Sequence, residues 1–418
     1  MATGARDRSA AHAMRVVAHR PDPNLLRLPW GVPLEEWGEP HVVPLPRGIS
    51  RHVVRIVRAE REVYAVKETQ EPIAFREYRL LRDLQRLGLP AVVPAAVVTG
   101  RRTPEGEDLP VALVTRHLRF SLPYRSLFGQ GSRGRNAQEL LETLVDALVV
   151  LLARLHLSGF FWGDVSLSNV LFRRSAGDLA AYLVDAETGE LHPELTDGQR
   201  RHDVTLGTEN VFAEILDLQA GDLMSTDVDP HLVVDRITER YEDLWGQLTG
   251  TEEFTPDEMW RIEQRVARLN DMGFDVAELD IVADWNGSTV RIQPRVVESG
   301  HHRRELLGLT GMDVEDNQAR RLLNDLASFT AHHDLGDEDR GIVAGRWLTT
   351  VYEPITAMIP HELRGRLEPA EVFHEILEHR WYLSERAGRE VDIFDAARSY
   401  IDSELAQRPV EDAVTDAQ

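Results

Sequence analysis

The sequence predicts an α+β chain. It should have a small antiparallel β segment, a helical region, and then a second, mostly α-helical domain with some β. Three observations carry this. Residues 41–68 run as short β-branched and apolar stretches, "HVVPL", "PRGISRH", "VVRIV" and "VYAVKE", separated by Pro, Gly or the polar turn "RAERE". Residues 137–157 form one long, strongly apolar helical pattern. Beyond residue 226 the chain turns to acid-rich helical segments with one β-like stretch, "STVRIQPRVV".

Composition sets the limits. The chain has 418 residues, 42% of them apolar, enough for two or three domains with buried cores. Expected boundaries are a flexible leader over 1–24, a first domain over 25–225, a second over 226–402 and a disordered acidic tail over 403–418. Net charge is −23, which disfavours nonspecific binding to nucleic acid or anionic membrane. There is no cysteine, so disulfides, thiolate metal sites and Cys nucleophiles are excluded. No apolar run approaches the roughly 18 residues of a membrane span. The start, "MATGARDRSAAHAMR", lacks the apolar stretch of a signal peptide, and Met14 is an alternative start. A cytoplasmic protein is the simplest reading.

Of the 47 basic residues, 46 are arginine, and the one lysine is Lys67. Coding bias with a random survivor explains this, or else the site needs a compact ammonium that a guanidinium fork cannot replace. Lys67 falls near the end of the third expected strand. A helix should follow, with Pro72 in its first turn and Gly88 just past its end. Ile73, Glu77, Leu80 and Leu84 are spaced to share a face. Glu77 is then a carboxylate in an apolar stripe that needs a cationic partner, or else it lies on the wet edge. A strand "VALVT" and a Gly/Arg-rich loop "FGQGSRGRN" come next. The apolar helix follows, with Asn136 as its cap and Glu139 completing a capping box. The stretch "GFFWGDVSLSNVLF" then interrupts an apolar run with Asp164 and Asn169. A strand pair joined by "RRSAGD" ends at Asp185. Three polar residues thus stand at the ends of buried elements, where a scaffold presents chemistry.

Asp-x4-Asn, a strand pair, and an Asp 16 residues after the Asn match the catalytic loop and metal-binding Asp of the protein-kinase-like fold. Lys67 on a strand 97 residues earlier and Glu77 on the next helix complete the set. The stretch "WGDVSLSNVLF…YLVDAETGEL" is similar to lipopolysaccharide-kinase-like proteins, a small-molecule branch of that superfamily. The whole chain resembles actinobacterial-type proteins that join such a domain to a C-terminal domain of unknown function. The resemblance implies a bilobal kinase-like fold, with a small antiparallel β N-lobe and a helical C-lobe, over roughly residues 40–225. It implies ATP and Mg2+ as cofactors. Lys67 would contact the phosphates, Glu77 would hold Lys67, and Asp164 would orient or deprotonate an acceptor hydroxyl. Asn169 and Asp185 would bind Mg2+. Gly48 and Ser50, in "PRGISRH", stand where a Gly-rich loop approaches phosphate, with Arg51 or His52 as further donors.

Several positions depart from the pattern. Trp162-Gly163 replaces His-Arg before the catalytic Asp. The metal motif reads Asp185-Ala186-Glu187; Glu187 is read as solvated surface, with an extra metal ligand as the alternative. "HEILEH" at 374–379 has the wrong spacing for a zinc-protease helix and reads as a charge-paired face. The pairs His301-His302 and His332-His333 read as polar surface.

Two functions remain open. The first is an ATP- and Mg2+-dependent phosphotransferase acting on a hydroxyl of a small molecule, glycan or lipid headgroup. The second is a nucleotide-binding pseudokinase that serves as a sensor or scaffold. In either case the partners expected are a nucleotide and, through the C-terminal domain, a protein.

Overall fold

The computed structural model describes residues 13–45, 52–131, 137–250, 252–254, 259–272, 274–283 and 290–412. The architecture is α+β, with an antiparallel sheet in the N-terminal part and a mostly helical C-terminal part. The expected contributions of Gly48, Ser50, Arg51 and Asn136 lie outside the described residues.

The chain begins with β1 (Arg15–Val17), β2 (Val54–Ala59) and β3 (Glu62–Thr69), followed by α1 (Glu71–Arg86), β4 (Pro94–Thr99) and β5 (Val111–Arg116). The five strands make one antiparallel sheet in the order β1-β4-β5-β3-β2. Side chains alternate across it. Tyr64 and Val66 of β3 face a cluster with Trp30, Trp37, Val98 and Val114. The opposite face, with Val97, Val111 and Leu113, packs on Ala74 and Tyr78 of α1. Lys67 sits opposite Leu113 in the register and so belongs to the α1 side. Glu68 takes the other side, where it accepts a 2.6 Å bond from buried Arg101. "HVVPL" is no strand; it makes a single bridge, Val42 to Val57. Pro44 has no N–H with which to extend a ladder.

Helix α1 ends as expected, with Gly88 at φ 68° just beyond it. Its buried stripe is Ala74, Glu77, Tyr78, Leu81 and Leu84, a slight rotation from the expected face that leaves Ile73 and Leu80 half-buried.

Next come β6 (Ser121–Pro123), α2 (Tyr124–Gly131), the apolar α3 (Ala137–Leu157), β7 (Phe160–Phe161), β8 (Val170–Ser175), β9 (Asp178–Leu183), β10 (Glu190–Leu191) and α4 (Asp197–Ala220). The loop expected from Phe128 is helical as far as Gly131. Arg173–Ser175 extend β8, so the turn to β9 is only Ala176-Gly177, both at positive φ as a two-residue hairpin requires. A complete capping box, Thr196 with Gln199, starts α4.

The remainder holds α5 (Pro230–Thr249), β11 (Glu252–Phe254), α6 (Met259–Asp271), β12 (Phe274–Ala283) and β13 (Val290–Ser299). The three strands pair in the order β11-β13-β12. Then follow α7 (His301–Thr310), α8 (Asp316–His332), α9 (Arg340–Trp347), a π-helical turn (Leu348–Tyr352), α10 (Glu353–Ala357), α11 (Pro369–Ala387) and α12 (Ile393–Ser403). Their core is built on Trp347, Phe373, Leu322, Leu326 and Tyr400. No helix among the described residues is long and apolar enough to cross a membrane.

By contacts the chain divides into two compact units. One comprises Met1–Gly129, Arg154–Leu171 and Tyr182–Ser225; the other comprises Gln130–Ala153, Phe172–Ala181 and Thr226–Gln418. The tip of the β8–β9 hairpin therefore belongs with the C-terminal helices. There Arg173 pairs with Glu315 and Glu368, and Arg174 pairs with Glu411. Buried Glu371 accepts from the N–H groups of Ala176 (2.9 Å) and Gly177 (3.4 Å) and from Gln318 (2.7 Å).

Candidate functional site

Everything at the candidate site lies in the first unit. Lys67 projects from β3, and its ammonium lies 2.7 Å from Glu77 of α1, 3.0 Å from Asp185 and 3.4 Å from Glu187. Glu77 is 1% exposed, so the apolar-stripe reading with a cationic partner holds and the wet-edge one does not. Burial pushes the Glu77 carboxyl up to about 7, opposed by Lys67 and reinforced by Asp185. Burial pulls Lys67 down, but Glu77 and Asp185 more than offset it, so the ammonium is held above its ordinary value and stays charged. One ammonium among three carboxylates gives the cluster a formal charge of about −2 when all are ionised. Oxygens of Glu77, Asp185 and Glu187 lie within 4.8 Å of one another, a hard donor set suited to a small dication.

Glu187 is not solvated surface. It pairs with Lys67, receives His52 at 3.0 Å, and is itself a member of the cluster. Its N–H also donates to Asp185 Oδ1 at 2.9 Å, closing a tight turn on that residue. His52, the last residue of "PRGISRH", is thereby tied to the Asp185–Glu187 segment.

The loop from Trp162 to Asn169 carries Asp164. Asn169 Nδ2 donates to the Asp164 carboxylate and to its backbone carbonyl, both at 3.0 Å. The Asn169 carbonyl accepts from Val184 N–H at 3.0 Å, next to Asp185 in the chain. Trp162 is fully buried, and its indole donates to the Asp185 carbonyl at 3.1 Å. Thr188 donates back to the Trp162 carbonyl at 2.8 Å. The residue that replaces His in the kinase pattern thus cross-ties the two loops that carry the site. Gly163 sits at φ 76°, a conformation open to glycine, and a Cβ there would press on Phe161 and Thr188.

Two buried acids of α4 hold this loop from below. Asp203 is 0% exposed and accepts from the N–H groups of Trp162 and Gly163, each at 2.7 Å. It also faces His156 at 3.1 Å. Burial lowers the His156 pKa, so the ring is a neutral donor to Asp203 at neutral pH. Glu214, three turns along the same face, accepts from the N–H groups of Leu167 and Ser168 and from the Ser168 hydroxyl. Between them Asn210 donates to the Val165 carbonyl at 3.0 Å. Gly207 lets Val165 approach, since a Cβ there would meet it at 2.9 Å.

The structure therefore brings Lys67, Glu77 and Asp185 together, and ties Asp164 to Asn169 on the adjoining loop. Sequence reasoning missed Asp203, Asn210 and Glu214, and ranked Glu187 as solvated surface ahead of the alternative that places it at the site. A signal for two of them was present: Asp203 and Glu214 stand 11 residues apart, on the face of α4 that buries Val204, Val211, Ile215 and Leu218. Acids on an apolar stripe need partners. In the second unit, His374 pairs with Glu378 at 3.2 Å, but Glu375 accepts from Arg408 and His379 faces Ser399, so one of the two i,i+4 pairs of the expected charge-paired face forms.

Residues 53–205 match the family model of the lipopolysaccharide kinase (Kdo/WaaP) family. Residues 243–405 match that of a domain of unknown function, DUF4032. Among solved structures, the chain is similar to one titled "WaaP in complex with acyl carrier protein", at 17% identity and a TM-score of 0.33, over 62% of this chain and 99% of that one. A search of curated proteins finds no match.

Proposed function

Taking the chain as a lipopolysaccharide-kinase-family segment joined to a domain of unknown function, we propose that it is an ATP- and Mg2+-dependent phosphotransferase. Its acceptor would be a hydroxyl of a small molecule, glycan or lipid headgroup. The observation that carries this reading is the sole lysine, held by Glu77 and Asp185 within a cluster of net negative charge beside the Asp164–Asn169 loop. A bare triphosphate would be repelled by that cluster, whereas a dication and a triphosphate together are matched to it.

Asp185 and Asn169, with Glu187 as a third oxygen donor, would hold the Mg2+. When bound, it would neutralise charge on the phosphate oxygens. Lys67 would turn from the carboxylates to the phosphates, with Glu77 fixing its stem position. Gly48 and Ser50 remain our assignment for backbone approach to the phosphates. Asp164, its carboxylate oriented by Asn169 Nδ2, would accept the proton of the acceptor hydroxyl. Supply of ATP and Mg2+ argues for the cytoplasm. Exposed Trp381 and Tyr382 on α11 support assigning a protein partner to the C-terminal domain.

The test is ATP turnover across a panel of hydroxyl acceptors. Asp164→Asn should lower kcat by about 100-fold or more with little change in the KM for ATP, the size of a lost general base. Unchanged kcat in that variant would overturn the role of Asp164, and a wild type that binds nucleotide without turnover would favour the pseudokinase.

A further inference from the structure

A second concavity in the first unit shares no residue with the Lys67 cluster. It has a volume of about 400 Å3 and lies between the end of α1, the starts of β3 and β4, the end of β5, and the segment around residue 20. Arg20, Arg82, Arg86 and Arg116 line it, with Asp22 and Tyr64. Arg86 is paired with Asp83. Arg20, Arg82 and Arg116 have no carboxylate partner among the described residues; Arg82 only lies over the Tyr78 ring, 5.9 Å from its centre. Asp22 offsets only one of these charges; its oxygens accept from Asn24 N–H at 2.9 Å and from the Tyr64 hydroxyl at 2.6 Å, and neither forms an ion pair with the arginines.

Three guanidinium groups against one carboxylate leave a positive excess in this cavity, unexpected in a chain of net charge −23, where acids outnumber bases 70 to 47. Like charges gathered in a concavity repel one another, and the repulsion is relieved when a counter-charge enters. We propose that this cavity binds a small phosphorylated metabolite. Planar guanidinium forks match phosphate oxygens in pairs, and three of them call for two or more negative charges. The volume is that of a small-ligand site. The chain's net charge of −23 disfavours nucleic acid and anionic membrane, which leaves a small diffusible anion. Arg82 and Arg86 sit in the last turns of α1, whose C-terminal end carries about half a negative charge; the positive excess left by Arg20, Arg82 and Arg116 over Asp22 outweighs it.

Pyrophosphate without divalent metal, titrated calorimetrically into the full chain, tests this. Wild type should bind it. Arg82→Gln/Arg116→Gln should weaken binding about tenfold or more, the loss of one or two charge-assisted bonds. Lys67→Ala should leave this site unchanged. Arg20 and Arg116 are exposed and Arg82 is half-buried, and Arg20→Gln repeats the test should the double variant misfold. No binding by wild type would overturn the proposal. So would binding that is lost in Lys67→Ala and kept in Arg82→Gln/Arg116→Gln, because the anion would then belong at the lysine.

Discussion

Lys67 shows how far one residue can be read. That a single lysine stands among 46 arginines was legible, and so was its placement on a strand before a helix with a carboxylate in its apolar stripe. What the sequence hid was the number of claims on it. Asp185 and Glu187 arrive from more than a hundred residues away, and no local pattern encodes that. The pairing has a measurable consequence through Glu77. Its pKa is raised from 4.5 to about 7 by burial. A carboxyl raised in the folded state contributes its stability fully below the unfolded value and loses it as pH rises through the folded one. Stability should therefore fall from about pH 4.5 to 7 on account of this group, and Glu77→Gln should flatten that part of the profile. Thermal denaturation across that range checks it; an equal slope in both proteins would remove Glu77 as the titrating group.

At the scale of elements, α1, α3, the β8–β9 hairpin and α11 were legible because each has a strong period and a stop signal. The first expected strand failed on a proline. The role of α4 was not legible, because its acids serve a loop some forty residues upstream. Asp203 holds three donors at once: two backbone N–H groups and the ring of His156. Removing it leaves buried donors without acceptors, each costing about 1–3 kcal/mol. Asp203→Ala should therefore destabilise the fold by about 3 kcal/mol or more in urea denaturation. A loss below about 1 kcal/mol would mean that the loop finds other acceptors. Gly207 belongs to the same contact, since only a residue without a side chain lets Val165 lie against α4.

At the scale of the whole molecule, the match to two family models suggests two consecutive pieces, but the contacts do not divide at a single point in the sequence. The hairpin between Asn169 and Asp185 has its tip among the C-terminal helices, gripped through Glu371 and the pairs of Arg173 and Arg174. No short motif announces this, because the partners are nearly 200 residues apart. Glu371→Ala should cost on the order of 3 kcal/mol, and Glu371→Gln, which keeps one acceptor oxygen, should cost less. Equal stability of both variants and wild type by urea denaturation would show that the grip carries no energy. Charge is the other property of the whole chain. It is −23, and the Lys67 cluster shares that sign, one ammonium among three carboxylates, so a nucleotide bound there should need a metal with it. The most direct measurement is calorimetric titration of ATP, with and without Mg2+, into wild type and Asp185→Ala. Binding that requires Mg2+ in wild type and disappears in Asp185→Ala is the predicted result; no binding by wild type with any divalent metal would contradict the nucleotide site itself.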